Sequence, residues 1–184
     1  MSVTGFTQIA ERISEGRTRS ASNGAAGARS LERKRYLVEL QGFHGLDDAT
    51  VVALEPWLRL SPALCMLTVL AALLSGRHAI LLALIPFAVG GVLLPNNPFD
   101  AIYNDGIRRW TRGPRIPRYG LPRRFACGVG SAWLVTMWSC FESGATPAGY
   151  GMGIGFMAIV SVQVFSGLCL PSRVLASVRR RLER

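Results

Sequence analysis

The sequence predicts an all-α integral membrane protein: four transmembrane helices in two hairpins, with a cytoplasmic interfacial amphipathic helix between them. Three observations predict it. First, 49% of the 184 residues are apolar and 17% charged, and the charges avoid four runs, residues 60–76, 79–94, 125–141 and 148–170. Such segregation marks a membrane chain rather than a soluble core under a charged coat. Second, the lengths fit, since a helix rises about 1.5 Å per residue and about 17–25 apolar residues cross the hydrocarbon core. Arg77 and His78 divide the first two runs, which together are too long for one crossing. Third, of 21 Lys and Arg, eight precede Leu60, seven lie between Pro95 and Arg124 and five follow Leu170, leaving only Arg77 elsewhere. Cytoplasmic flanks collect bases, so both termini and the central loop are expected inside, as an even number of spans requires. Buried helices of a soluble protein are the alternative that short apolar runs allow.

Residues 1–45 are expected to form a partly flexible cytoplasmic tail. Phe6, Ile9, Ala10 and Ile13 recur at helical spacing, residues 16–30 have too little to bury and should be flexible, and "LERKRYLVELQGF" reads as a short helix ending near Gly42. Residues 1–35 hold no hydrophobic run, so no cleavable signal peptide is expected. Glu11 and Glu15 count against a mitochondrial presequence, and a bacterial inner membrane is the expected location. The membrane domain is placed at 46–174. Within it, Asp47 or Asp48 caps a short helix before Pro56, and Trp57 and Arg59 stand where interfacial aromatics and snorkelling bases belong. Residues 175–184 read as a basic cytoplasmic tail.

Between the hairpins lies "NPFDAIYNDGIRRWTRG". Asn97 can cap a helix with Pro98 at its first position and Asp100 near its positive end. At about 100° per residue, Phe99, Ile102, Tyr103, Gly106, Ile107 and Trp110 fall within an arc of about 140°. Asp100, Asn104, Asp105, Arg108, Arg109 and Arg112 lie outside it. The stretch over about 98–111 therefore reads as a helix lying in the cytoplasmic interface, anchored by Phe99, Ile102, Tyr103, Ile107 and Trp110. "GPRIPRYGLPRR" after it should be an extended, solvated strap. Arg108, Arg109, Arg112, Arg115, Arg118, Arg123 and Arg124 form a basic loop that faces anionic lipid or a partner, each base contributing about 1 kcal/mol near such a surface. The net charge of +10 then needs no nucleic acid, and none is expected, because no single folded face collects the bases.

The segment "PFDAIYNDGIRRWTRGPRIPRYGLPRRFACG", with the later "LCLPSR", resembles a family of small bacterial polytopic membrane proteins of unknown function. The likeness runs over about residues 46–173. It implies a polytopic membrane fold and no activity, cofactor or catalytic residue.

The four runs contain no Asp, Glu, Lys, Arg or His, which argues against a transporter or pump. Gln163 is the one strongly polar side chain at depth and reads as interhelical glue, contributing about 0.6–2 kcal/mol. His44 and His78 fall on opposite sides of the membrane and cannot share a haem or metal. His78 alone could ligate a partner's haem or pigment, but an ordinary interfacial histidine is the simpler account, and no cofactor or metal is assigned. Cys65, Cys127 and Cys169 lie within about 10 Å of the cytoplasmic surface by helical rise, with Cys140 near the other face. They form a candidate redox or metal-binding thiol cluster, weighed against cysteine as a small packing residue. Gly149, Gly151, Gly153 and Gly155, and Gly128 with Ala132, supply small-residue faces for close helix packing, within the bundle or against a partner. With no catalytic constellation, the leading reading is a non-catalytic accessory, structural or assembly subunit of a larger bacterial inner-membrane complex, its partners other integral membrane subunits. The alternatives are a membrane thiol-redox protein and a protein that binds or modifies lipid head groups.

Overall fold

A computed structural model describes residues 24–182, which are all-helical, with no strand among the described residues. The expected amphipathic turn at Phe6–Ile13 lies outside them. Helix α1 covers residues 24–40, so the stretch expected to be flexible up to Ser30 is already helical from Gly24. The alanines and long charged side chains there are good helix formers. α2 (Asp48–Leu54) is capped by Asp47, whose carboxylate accepts from the Thr50 amide at 3.1 Å. A 3₁₀ turn, Trp57–Arg59, follows Pro56 and leads into α3 (Leu60–Ser75).

Gly76 ends α3 at φ 65°, a left-handed conformation that glycine reaches without a Cβ clash, and α4 (Ala79–Leu93) returns. α5 (Pro98–Ile102), a π turn (Tyr103–Ile107) and α6 (Arg108–Thr111) cross the end of α4 at 83°. An irregular strap leads to α7 (Leu121–Glu142), then α8 (Thr146–Ser166) and α9 (Leu170–Leu182). Residues expected to be a basic tail thus continue α9.

Helices α3, α4, α7 and α8 close a ring, α4 against α7, α7 against α8, α8 against α3 and α3 against α4. Val69, Ala72, Leu81, Leu84, Leu134, Met137 and Phe156 fill its centre. Both hairpin turns sit at one end. There the His78 ring lies flat on Phe141, centroids 3.5 Å apart and planes at 7°, and the Tyr150 hydroxyl donates to the Leu73 carbonyl at 3.4 Å. α1, α2, α5 and the strap gather at the opposite, cap end around Val38, Phe43, Leu54, Leu58, Tyr103, Ile116 and Tyr119.

The expectation of four clear spans is met only in part. Asp48–Ser75 and Thr146–Ser166 are long and apolar enough to cross a membrane, and a third candidate exists if the bent pair Ala79–Leu93 and Pro98–Thr111 counts as one span. α4 has 15 residues, about 22 Å of rise. α7 is long, but Gly128, Gly130, Ser131, Thr136 and Ser139 dilute its apolar character and Arg123, Arg124 and Glu142 lie within it.

The glycine faces divide. A Cβ on Gly149 would stand 2.7 Å from the Phe141 ring, one on Gly153 2.7 Å from Leu73, and one on Gly155 3.3 Å from Trp133. These glycines let the monomer's own helices approach. A Cβ on Gly151 would meet nothing within 4 Å, and one on Gly128 only Val92 at 3.9 Å.

Candidate functional site

The helix expected at the interface is shaped by its π turn. Asn97 caps α5 as expected, its Oδ1 accepting from the Phe99 amide at 2.9 Å. Widening to a π turn at Tyr103 shifts every later residue around the axis, so an arc counted at about 100° per residue no longer holds. Tyr103 is fully buried, its ring 4.5 Å from Trp57 and its hydroxyl donating to the Pro114 carbonyl at 3.2 Å. Phe99 stacks on Phe87 at 4.8 Å. Ile102, Ile107 and Trp110 are exposed. The proposed anchors therefore split, two into the protein and three outward. Asn104, expected on the solvent side, is buried: its Nδ2 donates to the Ile116 carbonyl at 3.2 Å and its Oδ1 accepts from the Ile116 amide at 2.8 Å. The strap is irregular and not fully solvated, because Asn96 and Asn104 side chains hold its backbone and Ile116 and Tyr119 are buried.

The basic loop also divides. Arg109, Arg112, Arg115 and Arg118 are exposed. Arg108 is half-buried and donates to the Asn104 carbonyl at 3.2 Å, and Arg124 is half-buried in α7. Arg123 overturns its assignment to an outward-facing loop. It is 4% exposed, because α7 begins at Leu121 and turns this side chain into the cap. Its guanidinium donates to Gln41 Oε1, to the Leu58 carbonyl at 3.2 Å and to Asp100 Oδ2 at 3.4 Å. It lies over the Tyr119 and Phe43 rings, 4.7 and 5.7 Å from their centroids. One side chain thus ties α1, the 3₁₀ turn, α5 and the strap to α7.

Asp100 is fully buried, accepts from the Tyr119 hydroxyl, and keeps Oδ1 without a partner. Burial pushes its carboxyl above the ordinary range, against the opposing pull of Arg123, and burial likewise raises the Tyr119 phenol. A buried charge is held only where a counter-charge and hydrogen bonds replace water, and Arg123 and Asp100 supply these to each other. A second clasp is Arg59, expected to snorkel. Its Nε donates to Glu55 at 2.9 Å, and its Nη1 donates to the Val164 and Phe165 carbonyls at 3.2 and 2.9 Å. It satisfies the open carbonyls at the α8 C-terminus.

Beside Arg123 lies a half-open cavity of about 380 Å³, walled by α3, α4, α7, α8 and α9. Cys65, Cys127 and Cys169 all line it and Cys140 does not, so the three thiols predicted to share a layer share one space. All four cysteines are free, and the Ser172 hydroxyl donates to Cys169 Sγ at 3.1 Å. Among the described residues no group of three or more His, Cys, Asp or Glu is placed to hold a metal ion. Gln163 lines the same cavity. His78 is occupied by its stack on Phe141, with Nε2 lacking a hydrogen-bond partner.

Sequence reasoning missed the Arg123–Asp100–Tyr119–Gln41 assembly. The available signal was an aspartate inside "NPFDAIY", between apolar neighbours, with an arginine at the mouth of the next long helix.

Fold and geometry define an all-helical bundle with two or three helices able to cross a membrane, closed at one end by a buried arginine beside a cavity. The chain belongs to a family described as a domain of unknown function (DUF4395), whose model matches residues 55–180. No curated protein and no solved structure matched it.

Proposed function

We propose that this chain is a non-catalytic accessory subunit of a larger bacterial inner-membrane complex. In this reading α3, α4, α7 and α8 are four spans, and the cap and both termini are cytoplasmic. The partition of bases supports the orientation, since only Arg77 falls at the turn end. The observation that carries the subunit reading is the outward face of α7. Gly128, Ala132 and Thr136 repeat at four-residue spacing, Ala132 and Thr136 are exposed, and Gly128 has room above it. Small residues at that spacing let a second helix approach closely where lipid removes the hydrophobic drive. The bundle's own packing uses Gly149 and Gly153 instead.

Purification in gentle detergent followed by native mass measurement tests it. A stoichiometric membrane partner should co-purify, and Ala132→Leu should release it while leaving the subunit folded. A partner-free wild-type protein, or a partner held equally by Ala132→Leu, would overturn the reading. Topology has its own test: in a cysteine-free background, a cysteine at Gly144 should react with an impermeant reagent from outside and one at Arg115 should not.

The three thiols around one cavity favour a second reading, membrane thiol-redox chemistry. Exposed Arg109, Arg112, Arg115 and Arg118 support attraction to anionic lipid head groups on the cap side.

A further inference from the structure

We infer that the cavity beside Arg123 is a binding site for a single-chain amphiphile with a carbonyl-bearing head. Its volume, about 380 Å³, falls in the range of pockets that hold small ligands, about 300–1,000 Å³. The walls are of two kinds. Phe125, Val129, Trp133, Phe156 and Ile159 form an apolar surface suited to an alkyl chain, while Arg123 and Gln163 place hydrogen-bonding groups on the same space. The Gln163 amide is half-buried on the cavity wall and can offer both a donor and an acceptor to a ligand. A guanidinium carries five N–H donors. Gln41, Leu58 and Asp100 take three hydrogen bonds from Arg123, which leaves donor capacity in a side chain that lines the cavity.

The head chemistry follows from this donor set. Asp100 already balances the charge of Arg123, so the ligand need not bring an anion. What the site lacks is an acceptor, and a carbonyl supplies one without adding a charge. Phe125 and Val129 are 41% and 37% exposed on α7, so the apolar part of the cavity opens sideways, the route by which a chain dissolved in a bilayer would enter. Two sources share this chemistry, the ester of a one-chain glycerolipid and the protonated carboxyl of a free fatty acid, which the apolar walls favour over the ionised form.

Gly130 gives a clean way to close the space. It lines the cavity, and a Cβ built on it meets nothing within 4 Å. Leucine there is also a better helix former than glycine. The experiment titrates delipidated full-length protein in amphipol with dibromostearate, or with dibromostearoyl lysophosphatidylcholine, and follows tryptophan fluorescence against the unbrominated lipids. Saturable quenching at one equivalent is expected, with most of it lost in Trp133→Phe. Gly130→Leu, or Ala126→Leu as the second cavity-filling variant, should abolish it while melting no lower than the parent. Gln163→Leu should weaken binding about tenfold, the loss of one hydrogen bond at about 1.4 kcal/mol, again without lowering the ligand-free melting temperature. Quenching by the acid alone identifies a fatty acid, by the lysolipid alone an ester, and by both the shared carbonyl. No saturable quenching with either lipid, or quenching unchanged in both folded cavity-filling variants, overturns the assignment.

Discussion

At the turn end of the bundle His78 lies flat on Phe141 and Tyr150 meets that ring edge-on. At the cap end Arg123 is held by Gln41, Leu58, Asp100 and two aromatic rings, all of them withdrawn from solvent. One closure is made of ring contacts, each contributing about 0.5–1.5 kcal/mol beyond area burial. The other is a buried ion pair, whose parts support one another and cannot be removed singly without leaving a charge unpaired. The turn end should therefore tolerate substitutions in small steps, and the cap end should fail cooperatively.

The largest effect is expected where that comparison is most extreme. Arg123→Ala or Asp100→Ala should each destabilise by about 3–5 kcal/mol, the cost of orphaning one member of a buried pair. The double change Arg123→Leu with Asp100→Leu should cost less than either single, since it removes the charges together. Reversible unfolding in mixed micelles, read by tryptophan fluorescence, gives all the values. Additive losses would mean that the two side chains act independently and that the cap is not one unit.

Next in size are the helix contacts. Gly153→Leu must displace Leu73 and should cost about 1–3 kcal/mol, whereas Gly151→Leu points into open space and should be neutral or slightly stabilising in the isolated protein. Equal losses at both positions would contradict the division of the glycines into internal and outward faces. At the turn end Phe141→Leu should cost about 1 kcal/mol. A loss as large as that of Arg123→Ala would erase the difference between the two closures.

Much of the fold was legible because periodicity and punctuation are local. Apolar runs, Asn97 before Pro98 and glycines at the turns fix helices within a few residues. The cap was not legible, for two physical reasons. A π turn changes the angle per residue without leaving a mark in composition, so an arc drawn for a regular helix does not hold beyond Tyr103. Arg123 sits among seven arginines, and nothing local separates a base that seeks lipid from one that is paired 23 residues away. The thiol layer was legible because helical rise sets depth, though whether three side chains face one space depends on helix rotation, which the sequence does not state.

The smallest expected effects belong to those thiols. Cys65, Cys127 and Cys169 border a cavity rather than a filled core, so removing a sulfur enlarges an existing space and breaks few contacts. Each should accept Ala with a loss of about 1 kcal/mol or less, and Cys140→Ala, away from the cavity, should behave the same way. Cys169→Ala is the most informative, because it also removes the sulfur that stands 3.1 Å from Ser172 Oγ, leaving that hydroxyl its bond to the Pro122 carbonyl at 3.1 Å. If the three serve a common chemical step, losing any one should abolish the cell's dependent phenotype as fully as losing all three, since parts of one chemical unit are not additive. Melting temperatures would stay nearly constant through that loss. Paired measurement of stability and growth phenotype separates the outcomes: small parallel changes in both fit packing around the cavity, while a uniform null at unchanged stability would favour thiol chemistry over the proposed accessory role.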